Sequence, residues 1–343
     1  MLNKPLEEKW RRKPAPGIFT IDSHTEGEVT RLVLGFEGVQ GRTMAAKRAF
    51  LMQHADQVRR LLTREPRGRD MLAAVLTNPV TPGADFGLIY MDARRYPYLC
   101  GHGAIGAVTT LIEAGMLKTE GEQQRILVDT PSGPLETTAF IKENKVIRVA
   151  LRMVPSFVYQ TNQRLKVEGL GGLIVDLVCV GGFFVMVDEQ QLPLALTLDN
   201  RKPLASLGMD IIAAANQQLK VSHPTRPEVK TVDVVEFYGT DDLHHEKGRN
   251  MVIYGEAHMD RSPCGTGTTA KMTLLHHKSL LDLNQIHQNF SPLGTAFEGR
   301  LVAETTVGDL PAVIAEIRGS AYITGIHEFV VDTTDPFPEG FMV

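Results

Sequence analysis

Runs of apolar and β-branched residues, many alternating with polar ones, recur along the chain and predict mostly strands. The predicted strands are residues 17–23, 28–35, 85–92, 125–130, 145–154, 172–180, 183–188, 231–239, 250–255, 312–319 and 327–332. Segments with helical spacing of apolar residues are fewer: 55–63, 103–114, 208–221 and 268–276. Because strands outnumber helices and several are joined by short turns, the pattern predicts an α+β protein rather than a doubly wound parallel sheet.

Two of the predicted helices begin with a similar motif. Residues 100–106 read CGHGAIG and residues 264–270 read CGTGTTA, and close to half of the chain separates them. Each motif follows a predicted strand and leads into a helix. We therefore expect two pseudo-symmetric halves with a cleft between them: residues 17–155, joined by the C-terminal segment 326–343, and residues 156–325.

A cysteine and two glycines at a helix start favour a particular chemistry. Glycine lets a ligand approach the backbone, and the first N–H groups of a helix have no partner within it, so they can bind a carboxylate. The positive end of the helix dipole is expected to lower the pKa of Cys100 and of Cys264. Racemisation at an α-carbon needs a base on one face and an acid on the other, which two thiols can supply. The third cysteine, Cys179, lies in an apolar run and is expected in the core.

Composition excludes several other classes of function. The net charge of −4 gives no electrostatic reason to expect nucleic acid or an anionic membrane as a partner. The sequence has no stretch of about 18 apolar residues, and its N-terminus lacks the apolar core of a signal peptide, which favours a cytoplasmic protein. Three cysteines do not suggest a disulfide scaffold.

The motifs also give little support to a cofactor or a metal. Cys100 and His102 are too close together for typical zinc spacing and have no second cluster of ligands. A disulfide between Cys100 and Cys264 is chemically feasible, but it fits an inactivated product better than a function. No Gly-rich fingerprint follows a strand, so nicotinamide and flavin are not expected. Lys271 lies near the second motif, which leaves a pyridoxal enzyme open.

At these residues the sequence resembles the proline racemase family. The similar stretches run from near the start of the chain to near its end: DSHTEGEVTR (22–31), EPRGRDM (65–71), ADFGLIYMD (84–92), CGHGAIG (100–106), DRSPCGTGT (260–268) and GSAYITG (319–325). The resemblance implies a fold of two α/β halves like that of diaminopimelate epimerase, with the active site in the cleft. It also implies catalysis without a cofactor, an imino-acid substrate and a homodimer.

The resemblance assigns roles to individual residues. It makes Cys100 and Cys264 the two acid/base thiols. It implies that four residues of the turns hold the substrate carboxylate: Gly101, His102, Gly265 and Thr266. It places Asp260 against the ring amine, which suits the attraction between a carboxylate and a secondary ammonium. Asp260 as a turn cap, and His102 as a capping or packing residue, remain alternatives.

The choice of substrate depends on a few further positions. The related trans-3-hydroxyproline dehydratases commonly replace the second cysteine by threonine, so Cys264 argues against that activity. The 4-hydroxyproline 2-epimerases tend to carry histidine two residues before the glutamate that matches Glu236, where this chain has Val234. We therefore expect a proline racemase, with an epimerase of hydroxyproline or another cyclic imino acid as the alternative. Tyr98 and Phe183 depart from the family pattern and are expected to add bulk near the ring.

A protein that binds an imino acid without reacting with it is a third hypothesis. It would need the helix starts but not two acid/base groups, so the two cysteines argue against it.

Overall fold

The computed structural model describes residues 17–240, 245–332 and 334–342. Residues 1–16, on which the expected cytoplasmic location largely depends, lie outside the described part, as do parts of the predicted C-terminal segment 326–343. Among the described residues, no helix combines the length and the apolar character that crossing a membrane requires.

Five α-helices and seventeen strands make up the described structure. The helices are α1 (Met44–His54), α2 (Asp56–Thr63), α3 (Gly101–Glu113), α4 (Arg201–Gln218) and α5 (Gly265–His277). The strands up to residue 167 are β1 (Ile18–Thr25), β2 (Glu28–Leu34), β3 (Leu72–Thr77), β4 (Phe86–Met91), β5 (Gln123–Thr130), β6 (Gly133–Lys142), β7 (Lys145–Arg152) and β8 (Ser156–Val167). The remaining strands are β9 (Gly171–Val180), β10 (Gly182–Asp188), β11 (Val232–Thr240), β12 (Lys247–Tyr254), β13 (His258–Met259), β14 (His287–Phe290), β15 (Ala296–Val307), β16 (Leu310–Gly319) and β17 (Ala321–Phe329). The prediction of a strand-rich α+β protein with few helices is confirmed.

The order of strand pairing occurs twice along the chain. Strand β1 pairs antiparallel with β2, β2 parallel with β3, and β3 antiparallel with β4. Strands β9 to β12 repeat this sequence of pairings. A helix follows each set, α3 after β4 and α5 after β13. The strand after each helix then pairs parallel with the last strand of the set, β5 with β4 and β14 with β12.

Strands outside these two sets complete the sheet. Strand β8 pairs with β9, and the C-terminal β17 pairs with β1 at the opposite end of the sequence. Strand β16 pairs with β7. These pairings connect all seventeen strands into one sheet system. The division into halves at residues 155 and 325 stays a prediction.

Helices α3 and α5 lie inside the molecule. Every residue from Gly101 to Ile112 of α3 and from Gly265 to Leu275 of α5 is buried. Two threonines of α5 fit this environment because they bond back to carbonyls one turn earlier, Thr269 Oγ1 to the Gly265 carbonyl at 2.8 Å and Thr273 Oγ1 to the Thr269 carbonyl at 2.7 Å. Two central helices surrounded by strands give their first residues a fixed and largely water-free position.

Candidate active site

Each CG motif opens a helix, as the sequence predicts. Cys100 is the N-cap of α3, and its Sγ accepts a hydrogen bond from the Gly103 N–H at 3.3 Å. Cys264 is the N-cap of α5, and its Sγ accepts one from the Gly267 N–H, also at 3.3 Å. The capping bond fixes each sulfur beside the first turn of its helix.

The backbone differs between the two cysteines. Cys100 is extended, with a φ of −146°, whereas Cys264 has a φ of 58° and a ψ of 110°. A side chain in that left-handed region costs about 1–3 kcal/mol and persists only where its surroundings hold it. Here the Cys264 N–H donates to Ser262 Oγ at 3.1 Å, and Ser262 is in turn bonded to Asp260.

The two helices meet at their first residues. A Cβ atom on Gly101 would lie 3.0 Å from the Gly265 Cα, and a Cβ on Gly265 would lie 3.1 Å from the Gly101 Cα. Two backbones approach this closely only where both residues lack a side chain. The glycine after each cysteine therefore brings the N-terminal end of α3 against that of α5.

One cavity opens between these two helix starts. It holds about 600 Å³ of empty space, part of it open to solvent. All seven site residues predicted from the sequence line it: Cys100, Gly101, His102, Asp260, Cys264, Gly265 and Thr266. The rest of its wall is Leu72, Arg95, Pro97, Tyr98, Leu99, Val180, Gly182, Phe184, Asp233, Val234, Val252 and Tyr254. Residues from distant parts of the chain thus form a small, mainly apolar pocket with a few polar groups.

The residue two positions after each cysteine lies against the thiol. His102 Nδ1 is 3.3 Å from Cys100 Sγ, and Thr266 Oγ1 is 3.4 Å from Cys264 Sγ. Each thiol therefore has a backbone N–H and a polar side chain close to it. The two side chains differ, so the surroundings of the two sulfurs are similar but not equivalent.

The expectation of lowered thiol pKa values is wrong for this structure. Burial raises the pKa of the Cys100 thiol well above its ordinary value, and the Asp260 carboxyl raises it further. Burial and Asp260 do the same at Cys264. The N–H groups of Gly103 and Gly267 act in the opposite direction but do not outweigh burial, because a thiolate loses most of its hydration there.

Asp260 is a turn cap, one of the two roles that the sequence left open, and it also lies on the cavity wall. Its Oδ1 accepts hydrogen bonds from the Ser262 N–H at 2.9 Å and from Ser262 Oγ at 2.7 Å, which makes it a turn cap. Its Oδ2 lies 3.7 Å from His102 Nδ1. Asp260 also lines the cavity, where a carboxyl that is 1 % exposed can receive a cationic group of a ligand.

A buried ionic cluster of Glu28, His258 and Arg261 lies behind Asp260 and was not predicted from the sequence. Glu28 of β2 is fully buried and accepts bonds from Arg261 Nη2 at 2.9 Å and from the Arg261 N–H at 2.7 Å. Its Oε1 lies 3.0 Å from His258 Nε2. The cluster joins β2 to the residues on either side of Asp260. No local pattern predicts it, because Glu28 is 230 residues from His258 and 233 from Arg261 along the chain.

The ring-facing residues partly differ from expectation. Phe183 is wrongly predicted to add bulk near the ligand: it is fully buried in a separate core, where its ring contacts Phe157 and Tyr159, and its neighbour Phe184 lines the cavity. The alternation of side chains along β10 explains the difference, since adjacent residues face opposite sides. Tyr98 does line the cavity, as expected.

Two tyrosine hydroxyls near the cavity differ in their bonding. The Tyr98 hydroxyl donates to the Glu228 carbonyl at 3.2 Å, and the Arg48 guanidinium lies 4.0 Å from the centre of the Tyr98 ring. The buried Tyr254 hydroxyl has no hydrogen-bond partner among the described residues. Tyr254 was not singled out from the sequence, where it reads as one more strand aromatic.

The position of Lys271 tests whether it could be the lysine of a pyridoxal enzyme. Lys271 is fully buried but does not line the cavity, and its Nζ donates to the Gly239 carbonyl at 2.6 Å. This position argues against Lys271 as a pyridoxal lysine. No group of three metal-ligating side chains occurs in the part of the chain that the structure describes. Cys179 lies in the core with 1 % exposure, as predicted.

Comparisons with known proteins show the family to which this chain belongs. Residues 20–342 match the family model described as proline racemase. The chain is 40% identical to the proline racemase of Acetoanaerobium sticklandii, over 96% of this chain and 100% of that protein. It is 37% identical to the 4-hydroxyproline 2-epimerase of Streptosporangium roseum, over 94% and 97%.

A solved structure covers nearly the same length. The hydroxyproline epimerase of Agrobacterium vitis, with trans-4-hydroxy-L-proline bound, superposes with a TM-score of 0.91 at 29% identity, over 96% of this chain and 95% of that one. The chain therefore belongs to the proline racemase family, and it is an isomerase.

Proposed function

We propose that this protein interconverts L- and D-proline, using Cys100 and Cys264 as the acid and the base on opposite faces of the α-carbon. The observation that carries the proposal is the meeting of two cysteine-capped helix starts in one cavity. Such a pair supplies what racemisation needs and what simple binding does not.

The helix starts supply the site for the substrate carboxylate. The first N–H groups of α3 and α5 have no partners within their helices and meet beside Gly101 and Gly265. Negative charge that spreads from the α-carbon into the carboxylate during proton removal is stabilised by these donors. The ring ammonium then lies toward Asp260, the buried carboxyl of the cavity wall.

In each turnover one thiolate removes the α-proton and the opposite thiol delivers another. The proton lost from one face is replaced from the other, so the configuration inverts and the charge moves from one sulfur to the other. The reverse reaction starts from that second state, and the pair titrates as a unit. Because burial raises both thiol pKa values, the positive charge of the bound ammonium helps to keep one sulfur ionised.

The wall of the cavity favours a substrate whose ring carries no hydroxyl group. Val234 lines the cavity and offers no hydrogen bond. The second candidate is a 4-hydroxyproline 2-epimerase, and the unpartnered Tyr254 hydroxyl is the observation that favours it. An enzyme for another cyclic imino acid would use the same thiols. A dehydratase remains disfavoured because Cys264 is present.

The proposal also covers the architecture of the whole chain. The repeated strand pairing supports two pseudo-symmetric halves of the diaminopimelate-epimerase kind, with the cavity between them. A homodimer, a cytoplasmic location and catalysis without a cofactor, all expected from the sequence, stay predictions.

The decisive experiment follows the substrate α-proton in deuterated water. With L-proline, we expect loss of the α-proton signal in NMR together with the appearance of D-proline on a chiral column. A protein that only binds proline would leave both unchanged. Running trans-4-hydroxy-L-proline in parallel separates the racemase from the epimerase, since only an epimerase would prefer it.

A further inference from the structure

Glu236 is a buried acidic residue that the proposed reaction does not yet use. It lies in β11 and is fully buried. Alternation along the strand places Val235 and Phe237 in a separate apolar core, whereas Val234 lines the cavity. The Glu236 side chain is therefore on the strand face that carries the cavity wall.

The carboxyl lies behind the first turn of α5. Its Oε1 accepts a bond from Asn250 Nδ2 at 2.8 Å, and Asn250 Nδ2 also bonds the carbonyl of Pro263, the residue before Cys264. Its Oε2 has no hydrogen-bond partner among the described residues. A Cβ on Gly267 would lie 3.1 Å from this oxygen and 3.1 Å from the Cys264 Cβ. This carboxyl oxygen and the Cys264 side chain thus both border the space beside Gly267.

The corresponding place beside α3 is apolar. A Cβ on Gly103 would meet Leu72 Cδ2 at 2.7 Å and Tyr90 Cε1 at 3.2 Å, with no carboxyl among its nearest atoms. Cys100 also has an imidazole at 3.3 Å, where Cys264 has the Thr266 hydroxyl.

Besides burial, Asp260 raises the pKa of both thiols, and a further carboxyl adds to this at each, Glu28 at Cys100 and Glu236 at Cys264. Glu28 is paired with His258 and Arg261, which offset its charge, whereas Glu236 Oε2 has no hydrogen-bond partner among the described residues.

We propose that Glu236 is a positioning residue for the proton of the thiol pair: its carboxylate disfavours a thiolate at Cys264, so that before substrate binds the proton is held more tightly on Cys264 than on Cys100. The proposal rests on the two-thiol chemistry proposed above. Its physical basis is repulsion between two anions in a buried site, where little water screens them. It assigns the two cysteines different affinities for the proton.

The effect depends on the ionisation of Glu236. Burial raises the pKa of Glu236 to about 7, although the Asn250 donor and the Lys271 ammonium oppose the rise. The titratable groups around it are Lys271 and Cys264 at α5, Asp260 before α5, and Tyr238 on the same strand. Above about pH 7 the carboxylate repels charge at Cys264, and below that pH the neutral acid does not.

The test compares alkylation at the two cysteines of the full-length protein without substrate. Thiolate, not thiol, reacts with iodoacetamide, so the initial rate at each site reports its ionised fraction. Peptide mass spectrometry at low conversion gives the two rates separately. Cys179, buried in the core with a pKa raised to about 12, reports any unfolding through its own labelling.

At pH 8.5 we expect Cys100 of the wild type to react faster than Cys264. In Glu236→Gln we expect the Cys264 rate to rise about tenfold, the size of a shift of one pKa unit, while Cys100 changes less than twofold. Glu304→Gln is the matched control, because it removes an exposed carboxylate of β15 that lies outside the cavity. It is expected to leave both rates unchanged.

A second measurement needs no variant. In the wild type, the ratio of the Cys264 rate to the Cys100 rate should fall as the pH rises through 7. A folded Glu236→Gln protein with an unaltered ratio, or a wild-type ratio that stays flat with pH, would overturn the proposal. Because no substrate is present, this result is separate from the proton-exchange assay, which alone decides whether the protein racemises proline.

Discussion

At the scale of single residues, the proposed reaction depends on the thiols of Cys100 and Cys264. Serine is nearly isosteric with cysteine and can still cap α3 or α5, but its hydroxyl is a far weaker acid than a thiol. We therefore expect Cys100→Ser and Cys264→Ser each to lower kcat for proline racemisation by at least about 10²-fold, the lower range for a lost general acid or base. Thermal unfolding should change little. Near wild-type turnover in either variant would contradict the two-thiol mechanism.

Ring specificity is also decided by single residues. Val234 offers no partner to a ring hydroxyl, and a buried hydroxyl without a partner costs about 1–3 kcal/mol. We therefore expect kcat/KM for L-proline to exceed that for trans-4-hydroxy-L-proline by about tenfold or more. The Tyr254 hydroxyl, which lacks a partner, is the group that can reverse this preference.

Steady-state kinetics of both substrates on the wild type and on Tyr254→Phe check this specificity. The variant should keep the preference for proline. A wild-type preference for hydroxyproline that disappears in Tyr254→Phe would instead identify an epimerase. Tyr98 is a weaker candidate for that role, because its hydroxyl already bonds the Glu228 carbonyl.

At the scale of elements, the reaction depends on the contact between α3 and α5. A methyl group on Gly101 would lie 3.0 Å from the Gly265 Cα, so one helix start must move. We expect Gly101→Ala to lower kcat/KM by about 10²-fold, because a displacement of about 1 Å is enough to misalign reacting groups. Overpacking should also lower the free energy of unfolding by about 1–3 kcal/mol.

Gly172→Ala is the control for that variant. A Cβ at Gly172 on β9 meets nothing within 4 Å, and its backbone is not in the left-handed region. Its activity and its denaturation midpoint should match those of the wild type. If Gly101→Ala also left activity and the denaturation midpoint unchanged, the close approach of the two helix starts would not matter for the reaction.

At the scale of the whole molecule, Glu28 joins β2 to the segment that precedes α5. Although burial by itself raises the pKa of Glu28, His258 and Arg261 bring it well below the ordinary range. Burial lowers the pKa of His258, but Glu28 and Asp70 raise it to about 10. The stabilisation from Glu28 is present above about pH 4.5 and is lost as the pH falls below that value. The stabilisation from His258 is complete below its unfolded pKa of about 6.5 and is lost as the pH rises toward 10.

Glu28→Gln removes the charge that holds this cluster together. At pH 6 we expect it to lower the free energy of unfolding by about 3 kcal/mol or more, because a buried cation loses its partner. The difference in free energy of unfolding between the variant and the wild type should narrow between pH 6.5 and 10, as His258 loses its proton. Urea denaturation at pH 6 and pH 9.5 measures both differences. Equal differences at the two pH values would show that His258 is not charged through Glu28.

Many of the strands and helices could be predicted from the local sequence, for a physical reason. Strand and helix patterns reflect contacts between near neighbours, so the strands around Ile21, Ile89 and Val185 were predicted close to their observed bounds. The cysteine turns are also local, since capping and glycine flexibility act within four residues. Elements with weak patterns were missed, among them α1 and the largely polar β8.

Tertiary structure alone decided how these pieces act on one another. The sequence by itself determined that Cys100 and Cys264 open two helices; only the fold brings Gly101 against Gly265 and closes one cavity around both thiols. The thiol pKa values were predicted in the wrong direction because burial is a property of the folded chain, not of a motif. The cluster around Glu28 and the carboxyl of Glu236 behind α5 depend on contacts between distant segments, which no local pattern encodes.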